Sequence, residues 1–272
     1  MRVACVQLDV RYGDFRGNAD AILSAARDLA AQGTELAVFP ECALTGYMAA
    51  NAEEARALVP PADIVDALNR DLHALPMISV YGTLHTASDE LQNIAVIIAP
   101  DLPAPMAYAK THLPDLGADR FTTPGDALTV FALSRPATGQ RFHLGVLICY
   151  DLRFPEAART LALAGADILA LPTNWPLGAE FSADSIAFVR AVENRVGLIS
   201  ANRVGTERGA NFFGRSRIIA PDGRELACAD DQPGTWTAEI DLGLARQKRI
   251  EIPASGYAID IFLDRNPAAY RV

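Results

Sequence analysis

Short apolar segments typical of β-strands alternate with amphipathic helical segments from one end of this 272-residue chain to the other. Half of the residues are hydrophobic, which is enough to bury a substantial core. No Pro/Gly/Ser-rich linker and no repeat of fixed period interrupts the alternation. We therefore expect residues 1–272 to form one α/β domain.

The strand candidates outnumber the convincing helices. The predicted strands are Val3–Val10, Glu35–Phe39, Met77–His85, Asn93–Ile98, Met106–Thr111, Thr129–Leu133, Phe142–Cys149, Asp167–Leu171, Gly197–Asn202, Phe212–Ile219, Glu225–Cys228 and Thr235–Ile240. The predicted helices are Asn18–Gly33 with Asn18 as the N-cap, Ala52–Ala74, Pro155–Ala164 and Ala179–Arg195. This ratio predicts a four-layer α-β-β-α sandwich, in which two mixed sheets pack together and helices cover their outer faces.

Charge and hydropathy narrow the range of partners. Lysine and arginine number 24 and aspartate and glutamate number 33, so the formal net charge is −9 and gives no general attraction for nucleic acid or anionic lipid. No apolar run approaches the roughly 18 residues of a membrane span. The segment Met1–Leu8 leads directly into a strand, so we expect no cleavable signal.

The sequence gives no support for a cofactor or a metal. The nucleotide and serine-hydrolase fingerprints GxGxxG, GxxxxGK[ST] and GxSxG do not occur. The four histidines lack metal-ligand spacing, and the four cysteines are scattered without a CxxC pair. We expect no cofactor, no metal and a reducing, cytoplasmic setting.

Three chemically reactive side chains each follow an apolar strand. Cys149 stands at a strand-to-helix turn, where a helix N-terminus favours a thiolate and backbone N–H groups can receive an oxyanion. Glu41 follows a buried segment that should desolvate it and raise its pKa, and Lys110 follows the apolar segment Met106–Ala109 in the same way. Taken singly, these are equally well a core cysteine, a capping glutamate and an exposed lysine. Together they form the minimum set for acyl transfer: a nucleophile, a proton shuttle and an oxyanion stabiliser.

The segments around these residues resemble the motifs of the nitrilase, or carbon-nitrogen hydrolase, superfamily. The Glu, Lys and Cys motifs are Phe39–Tyr47, Tyr108–Leu113 and Ile148–Glu156, in the order of that superfamily. Further matches are Pro172–Trp175, Arg190–Asn194, Ala201–Gly205, Gly214–Ser216 and Pro221–Gly223. The resemblance extends from Val3 to about residue 242, and it implies an α-β-β-α sandwich.

The resemblance also implies a mechanism and an assembly. Glu41 would take the proton of Cys149, and the thiolate would attack an amide carbon. Lys110 and the backbone N–H of Tyr150 would hold the oxyanion, ammonia would leave, and water would hydrolyse the thioester. A homodimer or higher oligomer would form through helices and the C-terminal tail, residues 252–272.

Two departures from the family pattern refine this interpretation. Many members carry a second glutamate about eight residues after the lysine, but Leu113–Phe121 has none, which leaves Asp119 or Asp115 as the substitute. True nitrilases usually follow the cysteine with Trp-Glu, whereas Cys149 is followed by Tyr150-Asp151, as in the amidase branches. An amidase is therefore favoured over a nitrile hydrolase.

We predict a thiol amidase for a small linear carboxamide. Because Pro155–Arg159 is shared with N-carbamoyl amine hydrolases, an N-carbamoyl amine or amino-acid hydrolase is the alternative, beside a non-catalytic member of the fold and a metal-dependent amidohydrolase. The predicted pocket residues are Tyr47, Asp119, Asn174, Trp175 and the loop Leu177–Ala183. Trp175 fits a pocket wall, the core or a dimer interface equally well.

Overall fold

The strands of this computed structural model, which describes residues 1–252 and 255–270, form two six-stranded sheets and two hairpins. In chain order they are β1 (Arg2–Gln7), β2 (Leu36–Val38), β3 (Ile78–Ala87), β4 (Glu90–Ile98), β5 (Met106–Ala109), β6 (Val130–Ser134), β7 (Arg141–Val146), β8 (Ile168–Pro172), β9 (Gly197–Ala201), β10 (Val204–Glu207), β11 (Ala210–Phe213), β12 (Arg217–Ile219), β13 (Glu225–Cys228), β14 (Gly234–Glu239), β15 (Arg249–Ile252) and β16 (Tyr257–Asp260).

Both sheets are mixed. The first has the order β14-β1-β2-β3-β4-β5 and the second the order β13-β12-β9-β8-β7-β6. In the first sheet β1, β2 and β3 are parallel, with Val3 opposite Leu36 and Leu36 opposite Ile78. In the second sheet β7, β8 and β9 are parallel, with Leu144 opposite Ile168. Parallel neighbours require crossover helices, which explains why helices lie between these strands in the sequence.

Three apolar layers hold the sandwich together. The inner faces of the two sheets meet in a core that includes Val38 and Val80 from the first sheet and Val146 and Ile168 from the second. A second cluster joins the outer face of the first sheet to α1 (Phe15–Ala31) and α3 (Ala62–His73). A third joins the second sheet to α4 (Pro155–Leu163) and α5 (Ala187–Asn194). The predicted α-β-β-α sandwich is therefore confirmed.

The first helix begins earlier than predicted. Its N-cap is Asp14, whose carboxylate accepts a hydrogen bond from the Gly17 N–H at 3.0 Å, so the prediction of Asn18 as the cap is wrong. Asn18 lies inside α1 and is buried, and its Nδ2 donates to the Leu44 carbonyl at 3.1 Å. Its amide therefore ties the helix to the loop that follows β2.

Prolines and a glycine divide other predicted elements. The predicted helix 52–74 is two helices, α2 (Ala52–Ala57) and α3, because Pro60 and Pro61 interrupt it. The predicted helix 179–195 is a π-helical turn over Ser182–Ile186 followed by α5. The predicted strand 212–219 is divided into β11 and β12 around Gly214, which has φ +71°. Helix α6 (Leu242–Arg246) follows β14. In the part of the chain that the structure describes, no helix is long and apolar enough to cross a membrane.

The C-terminal tail has more regular structure than its sequence pattern suggests. Strands β15 and β16 form an antiparallel hairpin in which Ile250 lies opposite Ile259. Residues 253–254 and 271–272, which belong to the predicted docking tail, lie outside the described residues.

Candidate active site

The ends of strands from both sheets converge at one end of the sandwich. Glu41 follows β2 and Lys110 follows β5 in the first sheet, while Cys149 follows β7 in the second. The Nζ atom of Lys110 lies 2.6 Å from Oε1 of Glu41. The charges of both residues act on the Cys149 thiol, so the structure brings the three predicted catalytic residues to one site.

Lys110 is held between two buried carboxylates. Its Nζ atom donates to Glu41 and also to Oδ2 of Asp119 at 2.5 Å, and all three side chains are buried. Asp115, the alternative to Asp119 in the sequence analysis, has a side chain that is 89 % exposed and pairs with Arg120. The structure therefore places Asp119, and not Asp115, beside Lys110. Within residues 1–252 and 255–270 no group of three His, Cys, Asp or Glu side chains is arranged to hold a metal ion.

Asn93 links the two carboxylates, although its sequence context did not mark it as a site residue. From β4 its Nδ2 donates to Oε1 of Glu41 at 2.7 Å and to Oδ1 of Asp119 at 2.8 Å. The Tyr47 hydroxyl donates to Oδ2 of Asp119 at 2.8 Å. The available signal was an asparagine at the start of the predicted apolar strand Asn93–Ile98, because an amide that becomes buried requires hydrogen-bond partners.

A glycine on the neighbouring strand allows the Glu41 segment to approach the sheet. A Cβ atom on Gly82 of β3 would lie 2.4 Å from the Cys42 nitrogen and 2.6 Å from the Glu41 Cα. Two backbone hydrogen bonds use this proximity: Gly82 N–H donates to Pro40 at 3.1 Å, and Leu44 N–H donates to Gly82 at 3.2 Å. Glycine at position 82 therefore allows the backbone of the Glu41 segment to lie against β3.

The buried charges do not balance. Two carboxylates share one ammonium group, and burial together with the Asp119 charge raises the pKa of Glu41 although Lys110 opposes the shift. Burial lowers the pKa of Lys110, but the charges of Asp119 and Glu41 outweigh it and hold that pKa well above its usual value. The predicted direction for Glu41 is confirmed. Its Oε2 atom is buried and has no hydrogen-bond partner among the residues that the structure describes, which leaves it open to accept a proton.

Cys149 does not have the environment predicted for it. Burial and the Glu41 charge raise the pKa of its thiol well above the usual value, although Lys110 and the Asn174 backbone N–H oppose the shift. The thiolate-favouring helix N-terminus is also missing, because Cys149 begins a 3₁₀ turn with φ +44° and α4 begins only at Pro155. A raised pKa favours the protonated thiol, so a base beside the sulfur would promote its ionisation.

A cavity of about 200 Å³ opens beside Cys149. Its lining includes the predicted residues Tyr47, Asn174 and Trp175, and from the predicted loop Ala179 and Ser182; the other lining residues are Pro114, Leu116, Tyr150, Arg153 and Pro176. Trp175 is both a cavity wall and part of the core beneath the second sheet. Asp119, also predicted to face the substrate, contacts Lys110 and Tyr47 instead.

Two polar groups at this cavity have no partner among the described residues. The side-chain amide of Asn174 is buried, and neither its nitrogen nor its oxygen has a hydrogen-bond partner there. The Tyr150 backbone N–H, at the second position of the turn that Cys149 begins, likewise donates no hydrogen bond within residues 1–252 and 255–270. Both groups are available to a ligand.

The four-layer sandwich, with Glu41, Lys110 and Cys149 at its strand ends, has the features of a carbon-nitrogen hydrolase. The family described as "Carbon-nitrogen hydrolase" matches residues 2–250. This chain therefore belongs to the carbon-nitrogen hydrolase family, within the nitrilase superfamily.

Individual relatives agree with this placement. A protein of Pyrococcus abyssi named nitrilase is 34% identical over 99% of this chain and 99% of its own length. An (R)-stereoselective amidase of Pseudomonas sp. is 30% identical over 92% of this chain and 88% of its own. The E41Q mutant of an amidase of Nesterenkonia sp. AN1 has a TM-score of 0.75 at 26% identity, covering 92% of this chain and 93% of that one; its structure shows covalent addition of the acetamide moiety of fluoroacetamide at the active-site cysteine. The chain is thus an amidase-like hydrolase.

Proposed function

We propose that this protein hydrolyses a small linear carboxamide to the acid and ammonia through a thioester on Cys149. One observation carries the proposal: Glu41 and Lys110 form a buried pair beside Cys149, a half-buried cysteine that opens into a small cavity. The base, the cation and the nucleophile of acyl transfer are thereby within reach of one ligand.

Acylation begins with a proton transfer. Glu41 takes the thiol proton of Cys149, and the sulfur forms a bond to the amide carbon while the carbonyl electron pair moves to oxygen. Lys110 Nζ and the Tyr150 N–H donate to this oxyanion. The intermediate collapses as the C–N bond breaks, and protonated Glu41 gives its proton to the departing nitrogen, which leaves as ammonia.

In deacylation, water is the nucleophile and Glu41 is again the base. Glu41 takes a proton from water, and the hydroxide oxygen bonds to the thioester carbon through a second oxyanion at the same donors. The C–S bond then breaks, the acid leaves and the sulfur regains its proton from Glu41. Asp119 and Asn93 hold the buried Lys110 and Glu41 in place throughout.

The cavity supports a small substrate. Its volume of about 200 Å³ is below the range of roughly 300–1,000 Å³ that accommodates drug-sized ligands. Most of its wall is apolar, which suits a short carbon chain, and the unpaired amide of Asn174 is placed to hydrogen-bond a polar substituent.

An ammonia-release screen tests the proposal. The compounds are short aliphatic amides, ω-amides of dicarboxylic acids, N-carbamoyl amines and amino acids, and the matching nitriles, each with wild type and Cys149→Ala. We expect ammonia from an amide only with wild type, and a mass increase equal to the acyl group on acid-quenched enzyme. Release from N-carbamoyl compounds alone would establish the alternative hydrolase, and no Cys149-dependent release from any compound would refute a catalytic role.

We also propose that residues 1–272 form one catalytic domain that pairs with a second copy through its helices and tail. Val189 and Val192 on α5 are exposed, as are Tyr257 and Leu263 in the tail at 73% and 84%. Exposed apolar side chains of this kind are typical of an interface. The proposal predicts a dimer or larger species in light scattering at micromolar concentration, and a fully active monomer would contradict it. All four cysteines are free, which suits the proposed cytoplasmic setting.

A further inference from the structure

We propose that Asp151 is a positioning residue that holds the Lys110 segment against the Cys149 turn. Its carboxylate is buried and accepts hydrogen bonds from the segments that carry these two residues, so it connects the first sheet to the second at the site. The inference rests on the proposed amidase function, because it assigns Asp151 a task in that reaction.

One oxygen of Asp151 binds the segment that follows Lys110. Its Oδ1 accepts from the Thr111 hydroxyl at 3.0 Å and from the His112 backbone N–H at 3.0 Å, and it lies 2.7 Å from Nδ1 of His112. The His112 ring also stacks on Phe154, with ring centroids 3.8 Å apart. The residues directly after Lys110 are thus bound to the turn that Cys149 begins.

The other oxygen binds both sides of the site. The Tyr108 hydroxyl, two residues before Lys110, donates to Oδ2 at 2.8 Å, and the Ile148 N–H, directly before Cys149, donates to the same atom at 2.9 Å. Asp151 therefore contacts residues that flank Lys110 and Cys149 but is not itself a catalytic residue. A shift of about 1 Å between reacting groups is enough to cost on the order of 100-fold in rate.

Two variants at position 112 separate the effect of the His112–Asp151 hydrogen bond from the effect of the ring stacked on Phe154. Both His112→Asn and His112→Leu remove the stacked ring, but only asparagine keeps a nitrogen donor near the place of Nδ1. The two variants have the same charge. Asp151→Asn is compared with Asp167→Asn, because Asp167 is a second buried carboxylate, which accepts from His143 N–H and Arg246.

The readouts are kcat, KM and the pH midpoint of Cys149 alkylation by iodoacetamide, alongside the melting temperature. We expect kcat to fall about tenfold or more in His112→Leu and in Asp151→Asn with KM little changed, and to stay near the wild-type value in His112→Asn and Asp167→Asn. The alkylation midpoint should rise in His112→Leu, since Lys110 then lies farther from the thiol whose ionisation it favours.

Equal kcat values and equal alkylation midpoints in the two His112 variants would overturn the inference. It would also be overturned if kcat and the melting temperature of His112→Leu fell together while its alkylation midpoint stayed at the wild-type value. If Asp151→Asn does not fold, the comparison of the two His112 variants still tests the positioning role of Asp151. Alkylation requires no turnover, so a wild type that hydrolyses no amide refutes the proposed function and leaves the positioning role measurable.

Discussion

Oε1 of Glu41 accepts two short hydrogen bonds, one of them from Lys110 Nζ at 2.6 Å, while Oε2 of the same carboxylate has no partner among the described residues. One oxygen is thus held in place and the other is left to exchange protons. Because the pair is buried beside Cys149, changing either charge must change the ionisation of the thiol.

The two members of this pair should shift the Cys149 pKa in opposite directions. Lys110→Met removes the cation that lowers that pKa, so the midpoint of alkylation against pH should rise. Glu41→Gln removes a charge that raises it, so the midpoint should fall. Shifts of the same sign would show that the three residues do not act as one site.

Turnover should depend on Cys149 and not on its buried neighbour. Cys149→Ala removes the nucleophile and little volume, so it should abolish turnover and leave the melting temperature nearly unchanged. Cys42→Ala is the control, because that thiol adjoins Glu41 but is fully buried and lies 3.7 Å from Asn93 Oδ1. Loss of turnover in Cys42→Ala with Cys149→Ala still active would identify Cys42 as the nucleophile.

The fall of kcat/KM on the acidic side of its pH profile, the acidic limb, should follow the protonation of Glu41. The reaction requires the carboxylate to be ionised, and its pKa is raised, so activity should be lost as pH falls through a value above the ordinary 4.5. Asp119→Asn removes one cause of that shift and should move the limb to lower pH.

Asp115→Asn is the control for this effect, since Asp115 is exposed and pairs with Arg120 away from the site. Its pH profile should match the wild type. A limb at or below 4.5 in the wild type, or an equal shift in both variants, would contradict the assignment.

Gly82→Ala should damage both stability and activity. The added Cβ would meet backbone atoms of Pro40, Glu41 and Cys42 at 2.4–2.7 Å, which forces the Glu41 segment away from β3. Overpacking of this kind costs about 1–3 kcal/mol of unfolding free energy, and kcat should fall because the base moves. Gly243→Ala in α6 is the control, since its Cβ would approach the Asp241 side chain at 3.0 Å and no backbone atom of the site. The unfolding free energy from urea denaturation and kcat are compared for the two variants.

Much of the fold was predictable from local pattern. Apolar runs with β-rich composition located most strands to within a few residues, and the ratio of strands to helices favoured two sheets over one. Element boundaries were less predictable where a side chain contacts residues distant in the sequence. The local pattern predicts Asn18 as a helix cap, but in the structure Asn18 lies within α1 and donates to the Leu44 carbonyl, 26 residues away.

The sequence by itself determined that Glu41, Lys110 and Cys149 each follow a strand and that burial raises the pKa of Glu41, because both properties depend on the residues next to them. Only the tertiary structure decided that Asp119 and not Asp115 adjoins Lys110, and that Asn93 bridges two carboxylates. It also decided that burial and the Glu41 charge, which raise the pKa of the Cys149 thiol, outweigh Lys110, which lowers it. Asn93 is 52 residues from Glu41 in the chain. Such contacts depend on strand pairing and on the balance of buried charges, neither of which any local segment encodes.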